Sequence, residues 1–466
     1  MTRIAVEDHQ QPAGVSGPTE YARDEVYLAR QPLLDREGML YGFELKAHHT
    51  IIPTPNPAAF SDAESAAAAT KTAEAARAAI AKQVIWIAAQ PDVRAALAGH
   101  MAYLDASREM LFDDTLRLLP PERFILELPP HLVADDALVT RVIELHARRF
   151  RFVLDEVTQP GETFAKLLPY VDAVKIDLRR TQPALLPKLA KVLKAAGKIL
   201  IGYGIENQTD YQALHDLGFD RFQGYFFANP QSQGLRRASA PRHALLHLLQ
   251  LLASDPTVAQ LEAELKLNPV LVMHLMRLAN SSGLGVGHKV TTLREAINAT
   301  GTNRIARWTQ LLLYADGRKV SLEDDPLLQL AATRARFMEL AVERLPDAGR
   351  DEADAAFLTG VFSFVDAVFG GALESTLDML KLTKPIRAAI LRREGTLGML
   401  LLAIEALERG AWEEIDLASQ QLAPLTPAEI ARLGLAAAAW AGVADRSAEA
   451  AGLERIEDYS EESGAE

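Results

Sequence analysis

An α/β barrel followed by an all-α half is the architecture this 466-residue sequence predicts. Three observations predict it: short apolar runs recur through the first half, segments long enough for helices follow them, and a leucine- and alanine-rich texture replaces them in the second half. At roughly 150 residues per domain the length fits about three domains, or two larger ones with tails.

In chain order, residues 1–23 are polar, rich in Gly and Pro and aperiodic, which predicts a mobile leader. Runs rich in Val, Ile, Leu and Phe then occupy Val26–Leu34, Leu40–Leu45, Met101–Ala106, Phe124–Leu128, Phe152–Val157, Ala173–Leu178, Ile199–Tyr203 and Arg221–Phe227. From Met101 they start roughly 25 residues apart, the spacing of βα units with a parallel sheet inside. Eight of them predict a closed (β/α)8, TIM-like barrel over 24–228. Pro230, Gly234 and Pro241 mark a linker over 229–241. Over 242–442 apolar residues recur three and four apart, as in Leu245, Leu248, Leu249 and Leu252, then Leu261, Leu265, Val272, Leu275 and Leu278, which predicts helices throughout. Residues 443–466 carry eight acidic side chains against Arg446 and Arg455, an acidic, solubilising tail.

Composition narrows the function classes. The chain has no cysteine, which excludes disulfides, thiolate zinc sites and cysteine nucleophiles and fits a reducing, cytoplasmic compartment. Its formal charge of −13 repels a phosphate backbone, so nucleic acid is not an expected partner. No apolar run has the length of a membrane span and the first thirty residues lack a signal-peptide core, so no membrane association is expected.

In such a barrel the carboxyl ends of the strands converge on one mouth. The runs end in or near Glu44, Asp105, Glu127, Asp155 with Glu156, Lys175 with Asp177, Glu206 and Gln223. Carboxylates gathered there need pairing or a cation, and oxygen ligands of this kind suit magnesium, manganese or calcium.

Gln31-Pro32, Gly42-Phe43-Glu44-Leu45, Asp105-Ala106-Ser107, Leu126-Glu127-Leu128, Leu154-Asp155-Glu156, Val174-Lys175-Ile176-Asp177, Gly204-Ile205-Glu206 and Phe222-Gln223-Gly224-Tyr225 together resemble the ordered motifs of the EAL domain, the cyclic di-GMP phosphodiesterase barrel. The resemblance spans about 200 residues in order. It implies a site in which two metal ions activate a water, with bridging carboxylates and a base.

The sequence departs from that pattern where the chemistry is exposed. The catalytic glutamate implied two residues before Ile205 is Tyr203, and a phenol ordinarily keeps its proton at neutral pH. His48 replaces an arginine that grips phosphate, and an imidazole offers no bidentate fork. A metal-binding asparagine is Asp105, a second glutamate is Pro130, and the paired aspartates with their glycine-rich loop are Asp155-Glu156-Val157-Thr158-Gln159-Pro160. The survivors Glu44, Glu127, Asp155 and Lys175 read as a salt-bridge network, with a single cation as the rival. Asp177 reads as a strand-end anchor. Glu206 and Gln223 read as mouth hydrogen bonders, with contact to a guanine nucleotide as the rival.

In the second half, Leu251-Leu252-Ala253-Ser254-Asp255-Pro256, Asn268-Pro269, Leu275 through Ser282 and Thr292-Leu293-Arg294-Glu295-Ala296-Ile297 resemble the HDOD domain, a helical relative of the HD phosphohydrolases without their metal ligands. No His-Asp pair lies in this half. His215-Asp216 belongs to the barrel, on an expected surface helix, and Phe357–Asp366 offers apolar residues and Ser363. His243 and His247, four apart, have a metal-binding spacing without a third ligand; His274 reads as a core histidine. Arg236, Arg237 and Arg242 form a small basic cluster that suits the acidic tail or solvent, and Trp308, Trp412 and Trp440 read as packing anchors.

The combination resembles bacterial two-domain EAL–HDOD signalling proteins. It implies a catalytically inactive regulator, without a cofactor, whose partners are signalling proteins, with cyclic di-GMP as a candidate ligand, a homodimer as an allowed assembly and motility or surface behaviour as the output. The alternatives are a phosphodiesterase with an atypical site, in which Glu156 or Glu206 acts as base, and a receptor that binds without turnover.

Overall fold

The structure is a computed structural model, and it describes residues 26–49, 63–158, 161–228, 241–266, 275, 278–279, 293–315, 326–346, 348–364, 366–367, 373–374, 377 and 382–442. The leader, the linker up to residue 240 and the acidic tail lie outside the described residues, as do His274, Arg236, Arg237 and the side chains of Arg242, His243 and His247.

Eight strands close a barrel in sequence order: β1 (Tyr27–Leu34), β2 (Leu40–His48), β3 (Met101–Asp105), β4 (Phe124–Leu128), β5 (Arg151–Leu154), β6 (Ala173–Asp177), β7 (Ile199–Tyr203) and β8 (Arg221–Gln223). The all-parallel expectation is corrected at one strand. β1 runs antiparallel to both β2 and β8, because residues 35–39 are too short for a crossover and can only make a hairpin. Asp35 shapes that turn, its carboxylate accepting from the backbone N–H of Glu37 at 3.0 Å and of Met39 at 2.8 Å.

Strand alternation sorts the side chains into two populations. Outward-facing Phe43, Leu45, Leu104, Phe124, Leu126, Phe152, Val174 and Ile176 are buried in the shell between barrel and helices. Inward-facing Leu33, Tyr103, Ile125, Val153, Ala173 and Ile201 fill the lower barrel as a separate apolar layer. The next inward positions toward the mouth carry charge. Helix Gln208–Asp216, with His215 and Asp216 in its last turn, is one of the outer helices, as expected.

The second half is helical among the described residues. It comprises Pro241–Leu252, Val258–Lys266, Leu293–Thr300, Thr302–Ala315, Pro326–Val342, Arg350–Phe362, Lys384–Arg392, Gly395–Arg409, Trp412–Gln421 and residues 427–442. Leu245, Leu248, Leu261 and Leu265 are fully buried, as their spacing predicts. Trp308 and Trp412 pack against cores. Trp440 is corrected: it is 37% exposed, with the Arg336 guanidinium 5.9 Å from its ring centre.

The two halves share a core. Ala29 of β1, 2% exposed, belongs to the cluster that holds Phe337, Met338, Leu400, Leu401, Ile404, Leu407 and Ile415. Beside it, Arg334 is buried and forked onto Glu408 at 2.8 and 2.7 Å, with Glu405 at 3.2 Å and the Ser363 hydroxyl at 3.0 Å. Arg393 neutralises Glu405 from the other side at 2.8 Å.

No described helix is long and apolar enough to cross a membrane.

Candidate functional site

Register brings the charged side chains together at the mouth. Gln31 on β1 pairs with Glu44 on β2, Asp105 on β3 with Glu127 on β4, and Tyr203 on β7 lies between Asp177 and Gln223. Gly224 lets β8 leave the barrel against Ile205: its φ is +150°, and a Cβ there would overlap the Ile205 carbonyl.

Lys175 is the centre of the group. Its ammonium lies 3.0 Å from Glu44, 3.0 Å from Glu127 and 3.2 Å from Asp155, with Lys175, Glu44 and Glu127 each 1% exposed. Gln223 donates to Glu44 and, at 3.2 Å, to the Gln31 side chain. Carboxylate oxygens of Glu44, Asp105, Glu127 and Asp155 all lie within 4.8 Å of one another. Thus Glu44, Asp105, Glu127, Asp155, Lys175 and Gln223 converge. Glu206 does not join them: it sits past the end of β7 and is exposed.

Sequence reasoning misses one member of this site. Lys46 stands two residues after Glu44 on β2, hence on the same inner face, and its ammonium pairs with Glu44. The i, i+2 spacing is the available signal. Two ammonium groups therefore face four carboxyl groups.

The excess acid sets the protonation pattern. Burial opposes the Glu44 charge, but Lys175 and Lys46 outweigh it and hold that carboxyl below its ordinary range. Burial raises Glu127 well above its ordinary value; Lys175 opposes this, while Glu44, Asp155 and Asp105 add to it. Burial likewise pushes Asp105 up to about 6, against Lys46 and with Glu44 and Asp155. For both lysines burial favours the neutral form, and the surrounding carboxylates overcome it, raising Lys46 and Lys175.

Tyr203 is ringed by cations. The Lys175 and Lys46 ammonium groups lie 5.2 and 5.6 Å from its ring centre and the Arg179 guanidinium 5.0 Å. Asp177 accepts from the Arg179 backbone N–H at 2.9 Å, which anchors the strand end. Glu156, one of the two bases an atypical hydrolase would call on, has φ +43° and is held by Arg180 at 2.9 Å.

His48 packs in a three-ring cluster with Tyr27 and Trp412, their ring centres 5.3 and 4.7 Å from its own and 5.9 Å from each other. Burial lowers its pKa; Asp416 opposes the shift and His49 adds to it. A neutral ring packed against two aromatic side chains is not a phosphate clamp.

Four carboxylates make a hard-oxygen donor set of the kind magnesium, manganese or calcium takes. Here Lys175 sits among Glu44, Glu127 and Asp155 and Lys46 pairs with Glu44, while a buried oxygen of Asp105 has no hydrogen-bond partner, so a divalent ion at these oxygens competes with both ammonium groups. Elsewhere in the chain, Ser363 is a structural hydroxyl, donating to the Gly360 carbonyl at 2.8 Å.

Two family models agree with this architecture. The EAL domain family model matches residues 20–230 and the HDOD domain model residues 240–362. The Vibrio cholerae cyclic di-GMP phosphodiesterase CdgJ is 25% identical over 406 residues, 86% of this chain and 88% of that protein. The Bacillus subtilis protein YuxH is 22% identical over 330 residues, 70% of this chain and 80% of that protein. Among solved structures, the PaMucR phosphodiesterase in complex with c-di-GMP aligns with a TM-score of 0.34 at 19% identity, covering 43% of this chain and 94% of that one. Klebsiella pneumoniae BlrP1 with manganese and cyclic di-GMP aligns with a TM-score of 0.33 at 17% identity, covering 45% and 57%. A closed eight-stranded barrel with this mouth, followed by helices that match the second model, makes the chain an EAL domain joined to an HDOD domain.

Proposed function

We propose that this chain is a non-hydrolysing signalling protein linked to cyclic di-GMP, acting through protein contacts of its barrel and its helical domain. The observation that carries the reading is Tyr203. Hydrolysis of a phosphodiester needs a group that takes a proton from water. At the end of β7 the chain offers a phenol whose ring faces three cations. The two lysines among the carboxylates support the same reading, since they supply internally the positive charge that a metal would bring.

The test is direct. The purified chain, incubated with cyclic di-GMP and manganese, is expected to release linear dinucleotide no faster than buffer. Sustained release that Glu127→Gln abolishes would instead establish a phosphodiesterase. That second reading is favoured by one observation, the relation to CdgJ along most of both chains.

A further inference from the structure

The helical domain does more than follow the barrel; it sits on the barrel's mouth. Helix Gly395–Arg409 ends in Gly410, whose φ of +65° turns the chain sharply into helix Trp412–Gln421. That corner lies directly over the charged site. A Cβ placed on Gly410 would be 3.7 Å from the Gln31 amide nitrogen and 3.7 Å from both Cβ and Cγ of Lys46. Gln31 and Lys46 are the inward-facing residues next to Glu44, so no layer of water separates the corner from the site.

Contacts around the corner are extensive and chemically mixed. Trp412 and Tyr27 each stack on His48, with ring centres 4.7 and 5.3 Å away, and meet each other at 5.9 Å, so the three rings form one cluster beside the corner. Ala29, at the mouth end of β1, is buried among helical-domain residues. The Arg30 guanidinium donates to Thr333 at 2.9 Å and to the Ala96 carbonyl at 2.5 Å, tying β1 to helix Pro326–Val342. Farther down the outside of the barrel, at the turn that leads into β3, Gly442 abuts Ala98, where a Cβ would come within 2.6 Å of the Ala98 Cβ.

We propose that the Gly410–Trp412 corner is a lid: it occupies the β1–β2 side of the entrance, and a nucleotide that spans the mouth as far as Gln31 and Glu44 must displace the helical domain. The nucleotide part rests on the reading given under Proposed function; the closure itself does not. Ligand binding in the barrel and docking of the helical domain then exclude one another, so occupancy of the barrel frees the helical surface that faces it. The opposite side of the mouth, where Arg179 and Glu156 are partly exposed, stays in contact with solvent.

The cysteine-free chain allows a clean test by thiol labelling. Ala29→Cys places a thiol under the lid, and Ala102→Cys places one in the barrel shell as a reference for unfolding. In the otherwise unaltered chain both are expected to react slowly with a maleimide. Adding Trp412→Ala should speed labelling at position 29 at least tenfold and leave position 102 slow; Trp412→Phe should restore protection. Calorimetry with cyclic di-GMP should show at least tenfold tighter binding to Trp412→Ala than to the parent chain. Fast labelling of position 29 in the parent, or no acceleration by Trp412→Ala, overturns the lid. Equal nucleotide affinity of the two proteins overturns the competition. If neither protein binds the nucleotide while labelling behaves as expected, the lid stands and the cyclic di-GMP link falls. Should Trp412→Ala also expose position 102, Tyr27→Ala replaces it with the same expectations.

Discussion

Two buried charge networks lie on either side of the domain junction, and they are built on different rules. In the helical domain, Arg334 and Arg393 face Glu405 and Glu408, two cations against two carboxylates, with the Arg334 guanidinium also 3.8 Å from the Phe364 ring centre. In the barrel, Lys46 and Lys175 face Glu44, Asp105, Glu127 and Asp155. A balanced set is what a structural ion cluster needs, because each desolvated charge has a partner. The acid-rich set instead leaves carboxyl groups short of cations, and burial shifts Glu127 and Asp105 toward their protonated forms, a perturbation of the kind that clusters at functional sites.

Removing the central cation of each network separates the two most strongly. Lys175→Met leaves Glu44, Glu127 and Asp155 without their shared partner and should cost about 3–5 kcal/mol at pH 7 by urea unfolding. Arg334→Met should cost about 3 kcal/mol, since Arg393 still holds Glu405. Acidity should then distinguish them. Asp105, pushed up to about 6, binds a proton in the folded chain at pH values where the unfolded chain does not. Lowering the pH from 7 to 5 therefore favours the folded barrel, and the Lys175→Met deficit should shrink over that window. If the deficit grows instead, the carboxyls are not what burdens the variant.

A smaller effect concerns the second lysine. Lys46→Met removes the ammonium group from Glu44, so manganese should bind the variant in calorimetry where the parent gives no heat. Absence of binding in the variant would mean that Lys175 alone fills the site. The smallest stability effect belongs to Trp440, where Trp440→Ala should cost about 1–2 kcal/mol, because a ring 37% exposed still buries most of its surface.

The barrel is largely legible in the sequence because its strands are local patterns. The apolar runs map onto β1 to β8, and the carboxylates at their ends converge because strand ends must converge in a closed barrel. The direction of β1 is also written in the chain, in the five residues between Leu34 and Leu40; extending the repeat of the later units back to it gives the wrong sense. Lys46 escapes for a different reason: the motif draws attention to Glu44, and the parity rule has to be carried one step further along β2 to reach it. The closure of the mouth has no local signal. Gly410 and Trp412 meet Lys46 and His48 only through tertiary packing, and nothing in the spacing of either segment announces the other.

The burial of Ala29 among helices far along the chain has a consequence for synthesis. Arg30 and Thr333, which hold this junction, are 303 positions apart. While the ribosome is still making the second half, β1 can complete its hairpin with β2 and close the barrel against β8, yet its mouth-side end stays bare until the helices from Pro326 onward have emerged. A nascent chain stalled before them would display an aromatic and apolar edge, Ala29 and more of Tyr27, that the docked helical domain covers in the finished protein, and chaperones would be expected to hold it there.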